Sequence, residues 1–318
     1  MMNVICLLPV QQRHKQKLEE AAEGARFIYT TAAEVSAEQV SKADYIIGNV
    51  PPGLIAASDR LQVLQLGSAG ADPYIVPGVL SEKTRLLNAT GAYSKAVAEH
   101  AFASVLMLQK KLHLYRDAQR SAQWSDYGTV TSMADAVVLV VGLGDIGCRF
   151  AGMCRALGAY VIGIKRRPGE KPDCVHELYT MEELDRQLPR ADVIFSILPG
   201  TAATYHLYTP ERFRLMKNTA IFCNCGRGGA VEGSVLFEAL SKGEIGFAAL
   251  DVTEPEPLPA DDPLWGLDNL LITPHVSGFY HLPETFERIV DIAAENLRRF
   301  VRGEELKNIV DMSTGYKK

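Results

Sequence analysis

The sequence of 318 residues has little that would tie it to a polyanion, a membrane or an oxidising compartment. Its 33 lysines and arginines are outnumbered by 38 aspartates and glutamates, and the formal charge is −5. No basic run is long enough to track a phosphate backbone, so no nucleic-acid partner is expected. No apolar run approaches the length of a membrane span. Residues 1–9 are apolar but lack the basic n-region of a signal peptide, so a cytoplasmic protein is expected. The six cysteines, Cys6, Cys148, Cys154, Cys174, Cys223 and Cys225, are scattered, most of them in apolar runs. They fit reduced, buried small hydrophobes. Cys223-Asn224-Cys225 has no second Cys/His pair at matching spacing, and no metal site is expected. Short-period repeats and low-complexity segments are also missing.

What is present is an alternation. Apolar content of 47% over this length is enough for two cores. Short apolar runs at 4–8, 27–30, 45–48, 63–66 and 86–88 read as strands. Helical patterns cover 11–24, ending on a C-cap glycine, and 37–42. From 94 to about 123 the pattern is one helix without Gly or Pro. Its first half, 96–108, is apolar around most of its circumference, which predicts burial between domains. Its second half is charged and must surface. A second alternating region has strands at 136–141, 159–164, 193–197, 220–224, 247–252 and 270–273. Helices fall between them at about 148–157, 181–187, 210–216 and 234–242. Residues 254–260 form a Pro-rich loop. A long amphipathic helix, 281–302, ends at Gly303, and 306–310 reads as a last short strand. Such alternation implies an α/β protein with two Rossmann-like, doubly wound parallel-sheet domains.

The most informative stretch joins the strand 136–141 to Gly142-Leu143-Gly144-Asp145-Ile146-Gly147, a G-x-G-x-x-G pattern. The first glycine permits the tight turn, the second lets a pyrophosphate approach the backbone, and the third lets the next helix pack closely. That helix, from Asp145 to about 157, points free N–H groups and its positive dipole end at the phosphate. A preceding strand, an amphipathic helix and a second strand supply the context of a dinucleotide fingerprint.

Four motifs, the fingerprint among them, stand in order. They are Val141 to Gly147, Asn224-Cys-Gly-Arg-Gly-Gly229, Leu250-Asp-Val-Thr-Glu-Pro-Glu-Pro257 and Thr273-Pro-His-Val-Ser-Gly278. With Asn88-Ala-Thr-Gly91, Val97-Ala-Glu-His100 and Glu295-Asn-Leu-Arg298, the chain resembles the D-isomer-specific 2-hydroxyacid dehydrogenases over nearly its whole length. The resemblance implies a discontinuous, flavodoxin-like substrate domain, 1–98 with 284–318. A dinucleotide-binding domain, 99–283, is inserted into it, and the reaction lies in a cleft between them. It also implies a homodimer formed through the region 110–133.

Reduction of a 2-oxo acid needs a clamp for the carboxylate, a hydride for the carbonyl carbon and a proton for the oxygen. Arg227, flanked by Gly226 and Gly228 just after a strand, suits the clamp, because a guanidinium grips a carboxylate with paired donors. His275, beside Pro274 after another strand, suits the proton transfer at neutral pH. Its partner is Glu254 or Glu256, which sequence physics does not separate; the family pattern implies Glu256. His100, on an apolar helix, reads as structural. The resemblance places Asp251 near the nicotinamide carboxamide and adds Leu198, Pro199, Thr204, Cys225, His275 and Gly278 to the cofactor site. The substrate carboxylate would also meet backbone N–H groups of Ser68, Ala69 and Gly70. Loops around 49–52, 67–72 and Tyr93 build the side-chain pocket, where Tyr93 either narrows the pocket or packs.

The cofactor choice departs from the NAD pattern. Where NAD-using members carry an acidic residue for the ribose 2′-OH, this chain has Lys165, followed by Arg166 and Arg167. A missing carboxylate and three cations favour a 2′-phosphate, hence NADP(H), with NAD(H) as the alternative. The sequence thus reads as an NADPH-preferring reductase of a glyoxylate- or hydroxypyruvate-like acid. An NAD-dependent dehydrogenase of phosphoglycerate or D-lactate type is the alternative, and a nucleotide-sensing corepressor is the non-enzymatic one.

Overall fold

The computed structural model describes residues 1–55, 58–313 and 315. The chain divides into two units, Met1–Tyr93 with Leu282–Lys318, and Ser94–His281. The division at Tyr93/Ser94 leaves the helix that starts at Ser94 whole, where a boundary at 98/99 would cut it.

The first unit opens with β1 (Asn3–Cys6), α1 (Gln12–Ala21), β2 (Arg26–Tyr29), α2 (Ala37–Ser41), β3 (Tyr45–Ile47), α3 (Pro52–Ile55), β4 (Val63–Gln65) and β5 (Arg85–Leu87). Its sheet runs β2-β1-β3-β4-β5 with every pair parallel. This is the flavodoxin-like order. Helices cover both faces, so the strands are short continuous apolar runs rather than alternating ones. Tyr45, Ile46 and Ile47 are all fully buried. The start of α2 is fixed by a reciprocal cap, in which Gln39 N–H donates to Ser36 Oγ and Ser36 N–H donates to Gln39 Oε1.

The second unit contains α4 (Ser94–Gln109), α5 (Leu112–Arg120), β6 (Val137–Val141), α6 (Asp145–Ala156), β7 (Tyr160–Lys165), β8 (Glu177–Thr180), α7 (Leu184–Gln187), β9 (Val193–Ser196), α8 (Pro210–Leu215), β10 (Ile221–Asn224), α9 (Gly233–Ser241), β11 (Phe247–Leu250) and β12 (Leu270–Ile272). Its sheet is also wholly parallel, in the order β12-β11-β10-β9-β6-β7-β8. That is the Rossmann order extended by one strand. The order reverses at β6, whose C-terminal end delivers Gly142, and a ligand crevice belongs at such a switch point. The chain then returns to the first unit through α10 (Pro283–Arg302), which ends on Gly303 in the left-handed conformation. Beyond it, Val310 N–H donates to Leu86 O at 2.8 Å.

The two sheets show why the strands read correctly, and the departures are local. The expected single helix over 94–123 is two helices, broken at Lys111, whose φ is +54°. A non-glycine residue there costs roughly 1–2 kcal/mol, and no Gly or Pro marks the break in the sequence. Ties from Lys110 Nζ to Thr131 O and from Lys111 Nζ to Tyr127 O offset that cost. Helix α4 buries a stripe, Val97, Ala98, Ala101, Val105 and Leu108, while Ala103 is exposed. Strand β8 was not expected. Its sequence, Glu-Leu-Tyr-Thr, is half-buried throughout, as suits a sheet edge. Helix α1 closes on Ala22 rather than on Gly24. Residues 306–310 contribute one antiparallel bridge, Ile309 to Leu87, instead of a strand. Among the described residues, no helix is long and apolar enough to cross a membrane.

Candidate functional site

The dinucleotide fingerprint has the geometry its glycines require. Gly142 has φ +106°, and a Cβ on it would stand 2.5 Å from Ile197 O. A Cβ on Gly147 would stand 2.3 Å from Gly142 O, so α6 is packed directly on the turn. Gly144, by contrast, has nothing within 4 Å of its Cβ position. That side of the loop is open. The first helical bond of α6 runs from Cys148 N–H to Gly144 O, and Gly144 brings no capping side chain. The N–H groups of Asp145, Ile146 and Gly147 therefore face an open approach at the positive end of a helix. These residues fit a pyrophosphate.

Lys165 ends β7 and is half-buried, and Arg166 and Arg167 follow as exposed residues. The residue that ends the strand is thus a lysine and not an aspartate or glutamate. Leu198 and Pro199 follow β9. The Leu198 backbone O and N lie 2.5 and 2.6 Å from the Cβ position of Gly226, so the loops after β9 and β10 touch backbone to backbone. The buried Thr204 hydroxyl accepts from Thr201 N–H and donates to Pro199 O, which closes the loop on itself. Cys225 is also buried, with its Sγ 4.0 Å from Cys223 Sγ. That neighbour and burial push its thiol well above the usual cysteine range.

Arg227 is held between two close approaches. Gly226 meets Leu198, and a Cβ on Gly228 would stand 1.8 Å from Thr253 O. Asn224, fully buried at the end of β10, completes the turn. It accepts from Gly226 N–H and donates to Arg227 O. The guanidinium itself donates to Gly226 O from Nη1.

The Pro-rich loop after β11 carries two glutamates, and each meets its own histidine. Glu256 Oε2 lies 2.9 Å from His275 Nδ1, while Glu254 Oε2 lies 2.8 Å from His206 Nε2. Both histidines have positive φ, +53° for His275 and +47° for His206. Such backbone is uncommon for a non-glycine residue and persists only when its surroundings fix it. For His275 the fixing bond is its N–H to Asp251 O at 2.8 Å. For His206 it is N–H to Gly229 O at 2.7 Å.

Asp251, 2% exposed, anchors the His275 loop further. Its Oδ1 accepts from Thr273 Oγ1 at 2.6 Å and Val276 N–H at 2.9 Å, and its Oδ2 accepts from Ser277 N–H at 3.0 Å. Gly278 follows directly and is half-buried.

In the first unit, Ser68, Ala69 and Gly70 form a half-buried loop after β4. Tyr93 is not merely packing, because its hydroxyl donates to Gly67 O. Asn49 side chain joins the same loop, accepting from Gly67 N–H and donating to Ser68 Oγ.

Two contributors were not expected from the sequence, Asn224 and the His206–Glu254 pair. His100, expected to be structural, has its Nε2 3.1 Å from Thr273 Oγ1 and 3.8 Å from Asp251 Oδ1, a tie between α4 and the Asp251 network. Because Thr273 gives its only proton to the acceptor-only carboxylate, His100 must be the donor to Thr273. The signal was a polar residue in an apolar helix. Asn224 carried a signal too, as a strand-ending amide before a Gly-rich turn. The His206–Glu254 pair had none.

The family model described as D-isomer specific 2-hydroxyacid dehydrogenase, NAD binding domain, matches residues 102–277. Glyoxylate/hydroxypyruvate reductase B of Shigella dysenteriae is 31% identical over 284 residues, 85% of this chain and 85% of that protein. A solved D-isomer specific 2-hydroxyacid dehydrogenase family protein from Aeromonas salmonicida is 30% identical, with a TM-score of 0.86 over 98% of this chain and 99% of its own. The NADPH-dependent glyoxylate/hydroxypyruvate reductase of Sinorhizobium meliloti, solved with NADP and sulfate, has a TM-score of 0.85 at 26% identity. It covers 99% of this chain and 100% of its own.

Proposed function

Because the chain belongs to the D-isomer specific 2-hydroxyacid dehydrogenase family, we propose that it reduces a small 2-oxo acid, glyoxylate- or hydroxypyruvate-like, to the D-2-hydroxy acid. NADPH, when bound, supplies the hydride, and NADH is the alternative donor. Gly142, Gly144 and Gly147, with the N–H groups of Asp145 and Ile146, hold the pyrophosphate. Lys165, Arg166 and Arg167 hold the 2′-phosphate. Leu198, Pro199, Thr204, Cys225 and Gly278 shape the remaining walls, and Asp251 accepts from the carboxamide. The solved Sinorhizobium neighbour, named NADPH-dependent glyoxylate/hydroxypyruvate reductase, supports this choice of cofactor, and the Shigella relative named glyoxylate/hydroxypyruvate reductase B supports the substrate class.

Arg227 grips the substrate carboxylate, and the N–H groups of Ser68, Ala69 and Gly70 bind the same kind of oxygen. His275 donates a proton from Nε2 to the carbonyl oxygen as it becomes an alkoxide. Glu256 holds the other ring nitrogen, which orients the ring and stabilises the imidazolium. The observation that carries this reading is the His275–Glu256 contact of 2.9 Å, on the loop that Asp251 pins. Six unpaired cysteines support a reducing, cytoplasmic compartment. The assembly we propose is a homodimer.

The test is steady-state turnover of a panel of 2-oxo acids, including glyoxylate, hydroxypyruvate and pyruvate, each with NADPH and NADH. Turnover greatest with a two- or three-carbon acid and NADPH is expected. No reduction of any acid by either cofactor removes the proposal.

A further inference from the structure

The loop after β4 has an asymmetry that neither the fold nor the fingerprint requires. All four of its carbonyl oxygens are taken. Gly67 O accepts from the Tyr93 hydroxyl, and Ser68 O from Ala89 N–H at 2.9 Å. Ala69 O accepts from Asn88 Nδ2 at 2.8 Å, and Gly70 O from Ser68 Oγ at 2.7 Å. The N–H groups of Ser68, Ala69 and Gly70 have no acceptor among the described residues. Backbone groups are normally paired. Three consecutive donors left over, with every acceptor tied back, make a small region of positive potential aimed away from the ties.

The ties are themselves held from the far end of the chain. Asn88, 3% exposed, accepts from Thr90 N–H on Oδ1 and gives its own N–H to Asn308 O at 3.1 Å. Asn308 Nδ2 donates to Thr90 O at 2.8 Å. One strand across, the fully buried Asn296 donates to Gln65 Oε1 at 2.7 Å, and Gln65 Nε2 donates to Leu66 O at 3.0 Å. Asn296 Oδ1 accepts from Lys307 N–H. Buried amides are costly unless paired, and a fully paired set fixes one backbone arrangement.

We propose that Asn88, held by Asn308, is a positioning residue for substrate binding, which keeps the Ser68–Gly70 N–H groups turned outward to receive a carboxylate. The proposal rests on the carboxylate assignment made above for that loop. Asn88 touches no substrate. It acts by holding Ala69 O, so that the peptide's N–H side cannot rotate inward. Tyr93 holds the preceding peptide in the same way, from a less buried position.

Two variants test this. Asn88→Asp keeps the shape and the acceptor for Thr90 but removes the donor to Ala69 O. Tyr93→Phe removes only the hydroxyl that ties Gly67 O, without burying a charge. Oxamate, a 2-oxo acid analogue with one carboxylate, is titrated calorimetrically into wild-type and variant protein loaded with NADP. The KM for glyoxylate, the NADPH affinity by fluorescence and the melting temperature are measured beside it. Oxamate affinity is expected to fall about tenfold in each variant, roughly the effect of one hydrogen bond, and the glyoxylate KM to rise equally. NADPH affinity should hold, since the fingerprint lies in the other unit. Wild-type oxamate affinity in Tyr93→Phe overturns the proposal even if Asn88→Asp fails to fold, as does a wild-type protein that binds no oxamate. Oxamate binding that weakens in the variants, in a protein that reduces no 2-oxo acid, keeps this proposal and removes the reductase reading.

Discussion

His275 Nδ1 meets one oxygen of Glu256 at 2.9 Å, while the other oxygen accepts Thr253 N–H at 3.1 Å. The carboxylate is an acceptor only, so the ring proton at Nδ1 is fixed and Nε2 is left for the substrate. His275→Gln should lower kcat by about 10²–10⁴-fold, the usual contribution of general acid–base catalysis, with NADPH binding retained. Wild-type turnover in that variant would show that the proton comes from elsewhere. In Glu256→Gln the imidazolium loses its carboxylate. The protonated ring is the acid, so kcat should fall in this variant while NADPH affinity holds. Wild-type kcat in Glu256→Gln argues against Glu256 as the partner.

Gly228 tests how tightly Arg227 is held. A Cβ there would stand 1.8 Å from Thr253 O, a backbone atom that cannot swing away. Gly228→Ala should therefore displace the Arg227 turn or the Pro-rich loop, at about 1–3 kcal/mol of overpacking. The expected readouts are a lower melting temperature and a lower kcat/KM for the oxo acid. A variant unchanged in both means that the two loops separate freely.

Cofactor preference follows from the end of β7. A charge-assisted contact to phosphate contributes about 1.5–3 kcal/mol, roughly ten- to a hundredfold in affinity. Exposure and salt reduce it. kcat/KM should be higher with NADPH than with NADH, and the preference should weaken as salt rises. Lys165→Asp with Arg166 neutralised should reverse it, by restoring an acceptor for the ribose hydroxyl. Equal efficiency with NADH in the wild-type protein would leave the three cations as a solvated turn.

The edge strand β8 gives a pH-dependent stability. Arg190, then Tyr179 and Tyr160, hydrogen-bond Glu177 and pull its carboxyl down to about 2, from an ordinary 4.5. A depressed carboxyl stabilises the fold above its unfolded value. The contribution is fully present above about 4.5 and is lost as pH falls toward 2. The group is near the surface, so about 1 kcal/mol is expected. Glu177→Gln should lower the melting temperature at pH 7 and flatten its decline below pH 4.5. A decline identical to that of wild type places the acid sensitivity elsewhere.

The proposed dimer has a simple check. Trp124 is fully exposed and Leu112 about half so, in a stretch where 123–132 form no regular element. Leu114 and Tyr115, which the sequence offers as exposed dimer contacts, are half-buried, with the Tyr115 and Tyr127 ring centroids 5.1 Å apart. Light scattering at micromolar concentration should give twice the chain mass. A monomeric mass there, or no loss of the dimer in Trp124→Ser, removes the dimer or this surface respectively.

Most of the fold was legible because both sheets are parallel and covered on both faces. Their strands are short continuous apolar runs such as Val137–Val141, which stand out in any window. Strand β8 was not legible, since an edge strand carrying Glu177 has no such run. The break at Lys111 was hidden because ties from loop carbonyls, not a local breaker residue, stabilise it. In the candidate site, the sequence shows Gly226 and Gly228 only as the residues that flank Arg227. Their partners, Leu198 and Thr253, are distant in sequence and only the sheet order brings them near. Glu254 and Glu256 could not be told apart by type or spacing, because what separates them is which histidine each one faces. The ties of Asn88, Asn296 and Asn308 depend on contacts across more than 200 residues of chain.

The discontinuity of the first unit reverses the order in which the chain is finished. Residues 94–281 are a single stretch with every strand of their sheet in hand once His281 has been made. The unit that begins at Met1 still lacks α10 at that point, as well as Asn296 and Asn308. Synthesis at roughly 5–20 residues per second separates the two moments by a few seconds. The loop at Ser68–Gly70 leaves the ribosome before any part of residues 94–281, yet it acquires the neighbours that set its shape only after all of them.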